Sequence, residues 1–308
     1  MEQPTEVQDV RVVHFGLGPL GSAIARSVAT REGLVSVAAV DPSAGREGRD
    51  LGDVAGLGAT TGVTVTSNAN VLRDLEADVV LFAPDGDLDA ATTDLELLLE
   101  VGLNVVAVMP ELAYPPDEDD DDLAVSIDTL AREAEVTALA LDPSDALLGA
   151  LPLALTGASA NVTRLVIRLR SAFGAAGRPS LGAWSRALAL SIGWAIDDYD
   201  EEDTGAAYGI VGSLDGREVL VVEALAETAG AGPSLEVEVE GTPSLRMTIA
   251  GGSGGEQALA ALAVNAIPAA LTSDPGLYSL SDLPPVHYWT SLGLMPADDE
   301  DEDDEDDL

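Results

Sequence analysis

VRVVHFGLGPLGSAIARSVATREGLVSVAAVD, residues 10–41, decides how the chain is read. Val10 to Phe15 is a short valine-rich run, the composition of a strand buried in a parallel sheet. It passes straight into Gly16-Leu17-Gly18-Pro19-Leu20-Gly21, after which Ser22 to Thr30 spaces Ala, Ile and Val as a helix does. Val35 to Val40 predicts a second strand, ending at Asp41. A G-x-G-x-x-G pattern alone is weak. Here it has a strand before it, a helix after it and an acid at the end of the next strand. Gly16 permits the tight turn, Gly18 removes the Cβ that would hold a pyrophosphate off the backbone, and Gly21 lets the helix lie close to the strand. The free amides and dipole of the helix N-terminus favour an anion there. Gly16, Gly18, Pro19, Leu20 and Gly21 are therefore expected to hold a dinucleotide. Asp41 stands where a carboxylate accepts adenosine ribose hydroxyls, which favours NAD. Arg46 and Arg49 follow closely enough to admit the 2′-phosphate of NADP.

Working outward, Asp78 to Ala83 (DVVLFA) predicts a strand, Leu88 to Val101 a helix, Asn104 to Val108 a strand, Leu123 to Glu135 a helix and Val136 to Leu141 a strand. Val63 to Thr66 reads as a further short strand. This alternation predicts a Rossmann-type, doubly wound parallel sheet. Ligands of such sheets lie beyond the carboxyl ends of the strands, so Ala83 and Pro84, with Asp85, are expected to line the cofactor cleft. From about Ala160 the period becomes two: Val162 to Arg170, Glu218 to Val222, Leu235 to Glu240 and Leu245 to Ile249. Strands with one wet face predict a mixed or antiparallel sheet in a second α+β domain. Helices are expected at Leu181–Ile196 and Thr204–Leu214, and a final one at Glu256–Ala270. The α/β chain thus divides into a dinucleotide-binding domain (1–155), a substrate and oligomerisation domain (156–255), a segment packing back on the first domain (256–296) and a disordered acidic tail (297–308).

The formal charge is −41, and all 14 basic residues are arginine. Six acids lie in the insert Asp117–Asp122 and ten in Asp298–Asp307, so −25 remains for the body. Such a surface repels itself in dilute buffer and is relieved in molar salt, where the Debye length falls to about 3 Å. The pattern predicts a protein of a salt-rich, halophilic cytoplasm. Nucleic acid is excluded as a partner, since phosphate backbones need clustered Lys and Arg. There are no cysteines, which excludes disulfides and thiolate chemistry, and no metal site is expected. Neither a basic, apolar leader nor a membrane-spanning stretch is read. The expected partners are a small-molecule substrate and, through the exposed face of the second sheet, another copy of the chain.

The candidate catalytic groups are carboxylates. Asp142, in the loop after the Val136–Leu141 strand, is placed to bind a substrate ammonium or to act as general base if burial raises its pKa. Glu111, after the Asn104–Val108 strand, is the second candidate. Asp145 reads as a helix N-cap for ALLGALPLAL. His14, inside the first strand, reads as core. His287, with Tyr288 and Trp289, reads as a packing cluster. Trp184 and Trp194 are expected on one helix.

Several segments resemble the 2,4-diaminopentanoate dehydrogenase-like family, whose N-terminal domain is related to dihydrodipicolinate reductase. They are RVVHFGLGPLGSAIAR at Arg11–Arg26, GRDLGDVAGLG at Gly48–Gly58, LLLEVGLNVVAVMPELAYP at Leu97–Pro115, ALPLALTG at Ala150–Gly157 and VNAIPAALTSDPGLYSLSDLP at Val264–Pro284. The resemblance implies NAD(P)-dependent hydride transfer at a carbon bearing nitrogen, as an amine dehydrogenase or an imine reductase. The chain departs from the reductases in having no lysine and only His14 and His287. It departs from the diamine enzymes in carrying Leu141-Asp142-Pro143-Ser144-Asp145 where they have a turn similar to G-x-N-P-G. Those departures support a second reading: a non-catalytic protein of the same fold that binds and senses NAD(P).

Overall fold

The structure, a computed structural model, describes residues 9–290 apart from 44, 86–87, 116–120, 147, 149, 172–177, 206, 227–233 and 251–254. Most of the acidic insert, 117–120, and the whole tail, 297–308, therefore lie outside the described residues. Among the described residues no helix is long and apolar enough to cross a membrane, and no cluster of His, Asp and Glu could hold a metal ion.

Six strands alternate with helices along the first half: β1 (Val10–Phe15), β2 (Leu34–Val40), β3 (Val65–Thr66), β4 (Val79–Phe82), β5 (Asn104–Val108) and β6 (Thr137–Leu141). Their connections carry α1 (Pro19–Ala29), α2 (Leu51–Ala55), α3 (Leu88–Glu100), α4 (Pro110–Ala113) and α5 (Asp121–Glu133). All pair in parallel, in the order β6-β5-β4-β1-β2-β3. Every residue of β4 and β6 is buried, as strands covered on both faces require. One face packs Leu95, Leu98 and Leu99 of α3 and Ile127 of α5 against Val80, Phe82 and Val105.

The chain then crosses through α6 (Leu151–Thr156) into a mixed sheet of β7 (Val162–Ser171), β8 (Asp198–Asp203), β9 (Ala207–Leu214), β10 (Arg217–Ala226), β11 (Ser234–Gly241) and β12 (Leu245–Ala250), ordered β12-β11-β7-β10-β9-β8. α7 (Arg178–Ile192) covers its inner face with Trp184 and Leu188, which join Leu165, Ile167, Leu220 and Val237 in the same apolar core as α3 and α5. The outer face carries cross-strand ion pairs: Arg164 with Glu240 and Glu218, Arg168 with Glu223, and Arg246 with Glu238. Alternating burial along β9 and β11 produces this division.

The helix expected over Thr204–Leu214 is instead the end of a β8–β9 hairpin and strand β9. Asp215 and Gly216 both have positive φ, at 51° and 72°, the geometry of a two-residue hairpin turn. That turn pairs β9 with β10 and places Tyr208 and Ile210 inward. α7 ends at Ile192, so Trp194 lies beyond it. The final helix is two, α8 (Gly255–Asn265) and α9 (Ile267–Thr272), with Pro268 in the first turn of the second. Both return to the first sheet, where Ala260, Val264 and Ile267 pack on Val12, Ile24, Val79 and Leu139. A last strand, β13 (Gly276–Tyr278), pairs in parallel with β6 and completes seven strands. Arg31, just beyond α1, clasps the returning C-terminal segment. Its guanidinium donates to Trp289 O at 2.6 Å and Asn265 Oδ1 at 3.0 Å, and stacks on the Tyr288 and Trp289 rings.

Candidate active site

The strand order reverses between β1 and β4, so their carboxyl ends open a crevice, and the ends of β5 and β6 lie along the same edge. At the crevice stands the glycine turn. Gly16 has φ 81°, and a β-carbon there would collide with the Ala83 carbonyl at the end of β4. A β-carbon on Gly21 would collide with the Gly16 carbonyl, so α1 could not approach the turn. Pro19 opens α1, where a missing N–H costs nothing. Ala83 is buried and Pro84 half-buried beside the turn, and a β-carbon on Gly18 would run into the carboxylate of Asp85. The position over Gly18 thus receives an oxyanion, the Asp85 carboxylate, which is the chemistry a pyrophosphate would bring there.

Asp41 is only 1% exposed. Its carboxylate accepts the Leu17 N–H at 2.6 Å, the Ser43 N–H at 2.8 Å and Arg46 Nη1 at 2.7 Å. It therefore fixes the glycine turn from beneath and holds the neighbouring guanidinium. Arg46 lies 3.7 Å from Asp85 on its other side.

A second constellation lies at the ends of β5 and β6. β5 leads into α4, with Pro110 in its first turn and Glu111 exposed. Leu112 and Ala113 are buried, and Tyr114 turns inward. Its hydroxyl donates to Asp145 Oδ1 at 2.8 Å and lies 3.5 Å from Ser281 Oγ. β6 ends at Leu141, and Asp142 is fully buried. The 3-10 turn Pro143–Ala146 comes next, in which the Asp145 carboxylate accepts the Asp142 N–H at 2.8 Å and the Asp145 N–H donates to Asp142 O at 2.9 Å. Asp145 is thus not the N-cap of the next helix. α6 starts at Leu151 with Ala150 before it, and Asp145 closes its own turn instead.

Burial pushes the Asp145 carboxyl up to about 7, the charge of Asp142 adds to this, and the donors Tyr114 and Asp142 N–H oppose it. Burial and the adjacent Asp145 hold the Tyr114 phenol well above its ordinary range. Ser281 also lines a cavity of about 140 Å³, walled by Leu153, Trp184, Leu188, Leu280 and Pro285.

The sequence-predicted residues divide between these places. Gly16, Gly18, Pro19, Leu20, Gly21, Asp41, Ala83 and Pro84 gather at the crevice, and Asp142 and Glu111 at the next two strand ends, one buried and one exposed. His14 lies within β1, with Nε2 2.9 Å from Ser36 Oγ, and burial lowers it to about 4, so it is neutral at pH 7. His287 is exposed and lines a separate groove with Tyr288 and Trp289.

Residues 204–293 match the profile of the 2,4-diaminopentanoate dehydrogenase C-terminal domain. A stretch of 139 residues is 30% identical to the 2,4-diaminopentanoate dehydrogenase of Acetoanaerobium sticklandii. The chain is similar to the 2,4-diaminopentanoate dehydrogenases. That match covers 43% of this chain and 38% of the length of the curated relative. The fold is that of an amine dehydrogenase from Mycobacterium smegmatis, with TM-score 0.77 and 22% identity over 92% of this chain and 98% of that one. It is also that of a dihydrodipicolinate reductase from a Paenisporosarcina species, with TM-score 0.59 and 15% identity over 90% of this chain and 100% of the other. The likeness to the diaminopentanoate dehydrogenases thus includes the C-terminal part, where Ser281 lies.

Sequence reading did not single out Tyr114 or Ser281. The one available signal was Tyr114 between Ala113 and Pro115, an aromatic closing a four-residue helix whose hydroxyl would need a buried partner.

Proposed function

We propose that the chain is a nicotinamide-dependent oxidoreductase acting on a small amino or imino compound, with NAD as its cofactor and NADP admitted. The observation that supports it most is the placement of a Cβ-free turn and a buried Tyr114–Asp145 pair on one edge of one parallel sheet. Gly16, Gly18, Pro19, Leu20 and Gly21 would hold the pyrophosphate, Ala83 and Pro84 would flank it, and Asp41 would face the adenosine ribose. When bound, the nicotinamide supplies hydride transfer. The protein's own part is binding, orientation and proton handling. Glu111, exposed at the end of β5, is placed to accept the charge of a substrate ammonium or to act as general base, and Asp142 lies beneath the neighbouring strand end. Burial raises the Asp145 carboxyl to about 7, so it would gain or lose a proton near neutrality, and the Tyr114 hydroxyl that donates to it ties the segment bearing Glu111 to Ser281. The cavity beside Ser281 is apolar apart from the Ser191 and Ser281 hydroxyls and suits a small alkyl substituent.

Domain 1–155 would serve the cofactor, 156–255 the substrate and self-association, and 256–296 would support the first. The lysine-free acidic surface suits work in a salt-rich cytoplasm. The test is dinucleotide binding in molar KCl, then an amine and imine panel. A melting-temperature rise with NAD(H) or NADP(H) and turnover of an amine are expected. No shift with either cofactor would overturn the assignment. Binding without turnover would favour the second reading, a sensor, which the chain's lack of lysine supports.

A further inference from the structure

This inference rests on the proposed cofactor site. The Asp85 carboxylate lies directly over Gly18, where any side chain on that glycine would meet both of its oxygens. Asp85 follows Pro84 at the end of β4 and is half exposed, with 54% of its side chain in solvent. A neighbouring cation, Arg46, approaches it at 3.7 Å while holding Asp41 at 2.7 Å. Two carboxylates and one guanidinium thus cross the mouth of the turn and leave it with a net negative charge. The position over Gly18 is the one a helix N-terminus and a missing Cβ make suitable for an anion.

We propose that Asp85 is an affinity-determining residue: its carboxylate holds the anion position of the glycine turn and must leave Gly18 before a pyrophosphate can enter. It competes in two ways, by filling the space and by repelling a second anion beside Asp41. Repulsion between charges a few ångströms apart in water is about 1 kcal/mol per pair of unit charges, or about fivefold in binding, and it is screened in molar salt. The penalty is therefore largest in dilute buffer and fades as salt rises. A protein with this acidic surface binds its cofactor under a salt-dependent restraint located at one side chain.

Dissociation constants for NAD⁺ and ADP-ribose, measured by calorimetry on the native chain, D85N and D85S, test this. They are compared in molar KCl and in the lowest KCl at which the three proteins melt at the same temperature. D85N keeps the shape of the side chain, and D85S also frees the space. Both are expected to bind the two ligands about fivefold more tightly at the lower salt, D85S at least as tightly as D85N, with the advantage shrinking towards unity in molar KCl. Equal or weaker binding by both variants at the lower salt would overturn the inference while leaving the cofactor site standing. Absence of binding by all three proteins would overturn the cofactor site, and this inference with it.

Discussion

At the glycine turn the geometry is set by backbone sterics, because Gly16 and Gly21 sit where a methyl group has no room. At the ends of β5 and β6 it is set by side chains from three distant segments, since Tyr114, Asp145 and Ser281 meet only after the sheet and the returning C-terminal segment are assembled. The first region is specified by what its residues lack and the second by what they carry. A site whose shape depends on missing atoms tolerates changes of charge but not of volume. One that depends on paired polar groups tolerates neither loss of a partner nor a change of protonation.

G21A is expected to have the largest effect, and it acts on the steric region. Its β-carbon meets a backbone oxygen that cannot swing aside, so a loss of about 4 kcal/mol in denaturant unfolding is expected, along with loss of dinucleotide binding. A stable G21A would mean that the turn relaxes and that sterics do not fix it.

D145N probes the other region through pH. The Asp145 carboxyl titrates at about 7 in the fold against an ordinary value of 3.8. The stability it contributes is complete below about 4, declines as pH rises and is gone above about 7. Asn retains an acceptor and stays neutral, and other titrating groups such as His14 cancel between the two proteins, so the stability of D145N minus that of the native chain should grow across that window and reach about 2–3 kcal/mol at pH 8. Parallel stability curves for the two proteins would show that Asp145 is ionised throughout. Because Asp142 abuts Asp145, a measured midpoint belongs to the pair.

D41A lies between the two regimes. Removing the carboxylate strands the buried Leu17 N–H and frees Arg46, and is expected to cost about 2 kcal/mol of stability. It should also weaken NAD relative to NADP, measured as the ratio of their dissociation constants. An unchanged ratio would reduce Asp41 to a turn support.

The smallest effect is expected for R168A on the outer face of the second sheet. Its pairs with Glu223 and Glu238 are about two-fifths and one-quarter exposed on the acidic side, so about 0.5 kcal/mol should be lost in low salt and almost none in molar KCl.

Legibility in the sequence followed the same division. β1, the glycine turn, α1 and β2 could be read because each depends on neighbours in sequence. The Ala207–Leu214 strand was missed. Its spaced apolar residues, Tyr208, Ile210, Val211 and Leu214, allow a helix when read alone, and the deciding signal, Asp215-Gly216, lies just past its end. β13 was missed because three residues carry no period. The places of Asp142 and Glu111 after strands could be read, but periodicity does not tell that one is fully buried and the other exposed. Tyr114 needed Asp145, 31 residues away, and Ser281, 167 residues away, to give its hydroxyl a place.

The Arg31 clasp and β13 have a consequence for how the molecule is made. The first sheet draws its seventh strand and one covering layer from beyond residue 254, so it cannot close while only the first half of the chain has been synthesised. The second sheet is contiguous, from β7 to β12, and its hairpins can form as they emerge. The dinucleotide-binding half is therefore encoded first and completed last. Without residues 255–289, β6 has no neighbour on its outer side, and α1 alone covers Val12 and Val79, so the edge and part of the apolar face would be left to solvent.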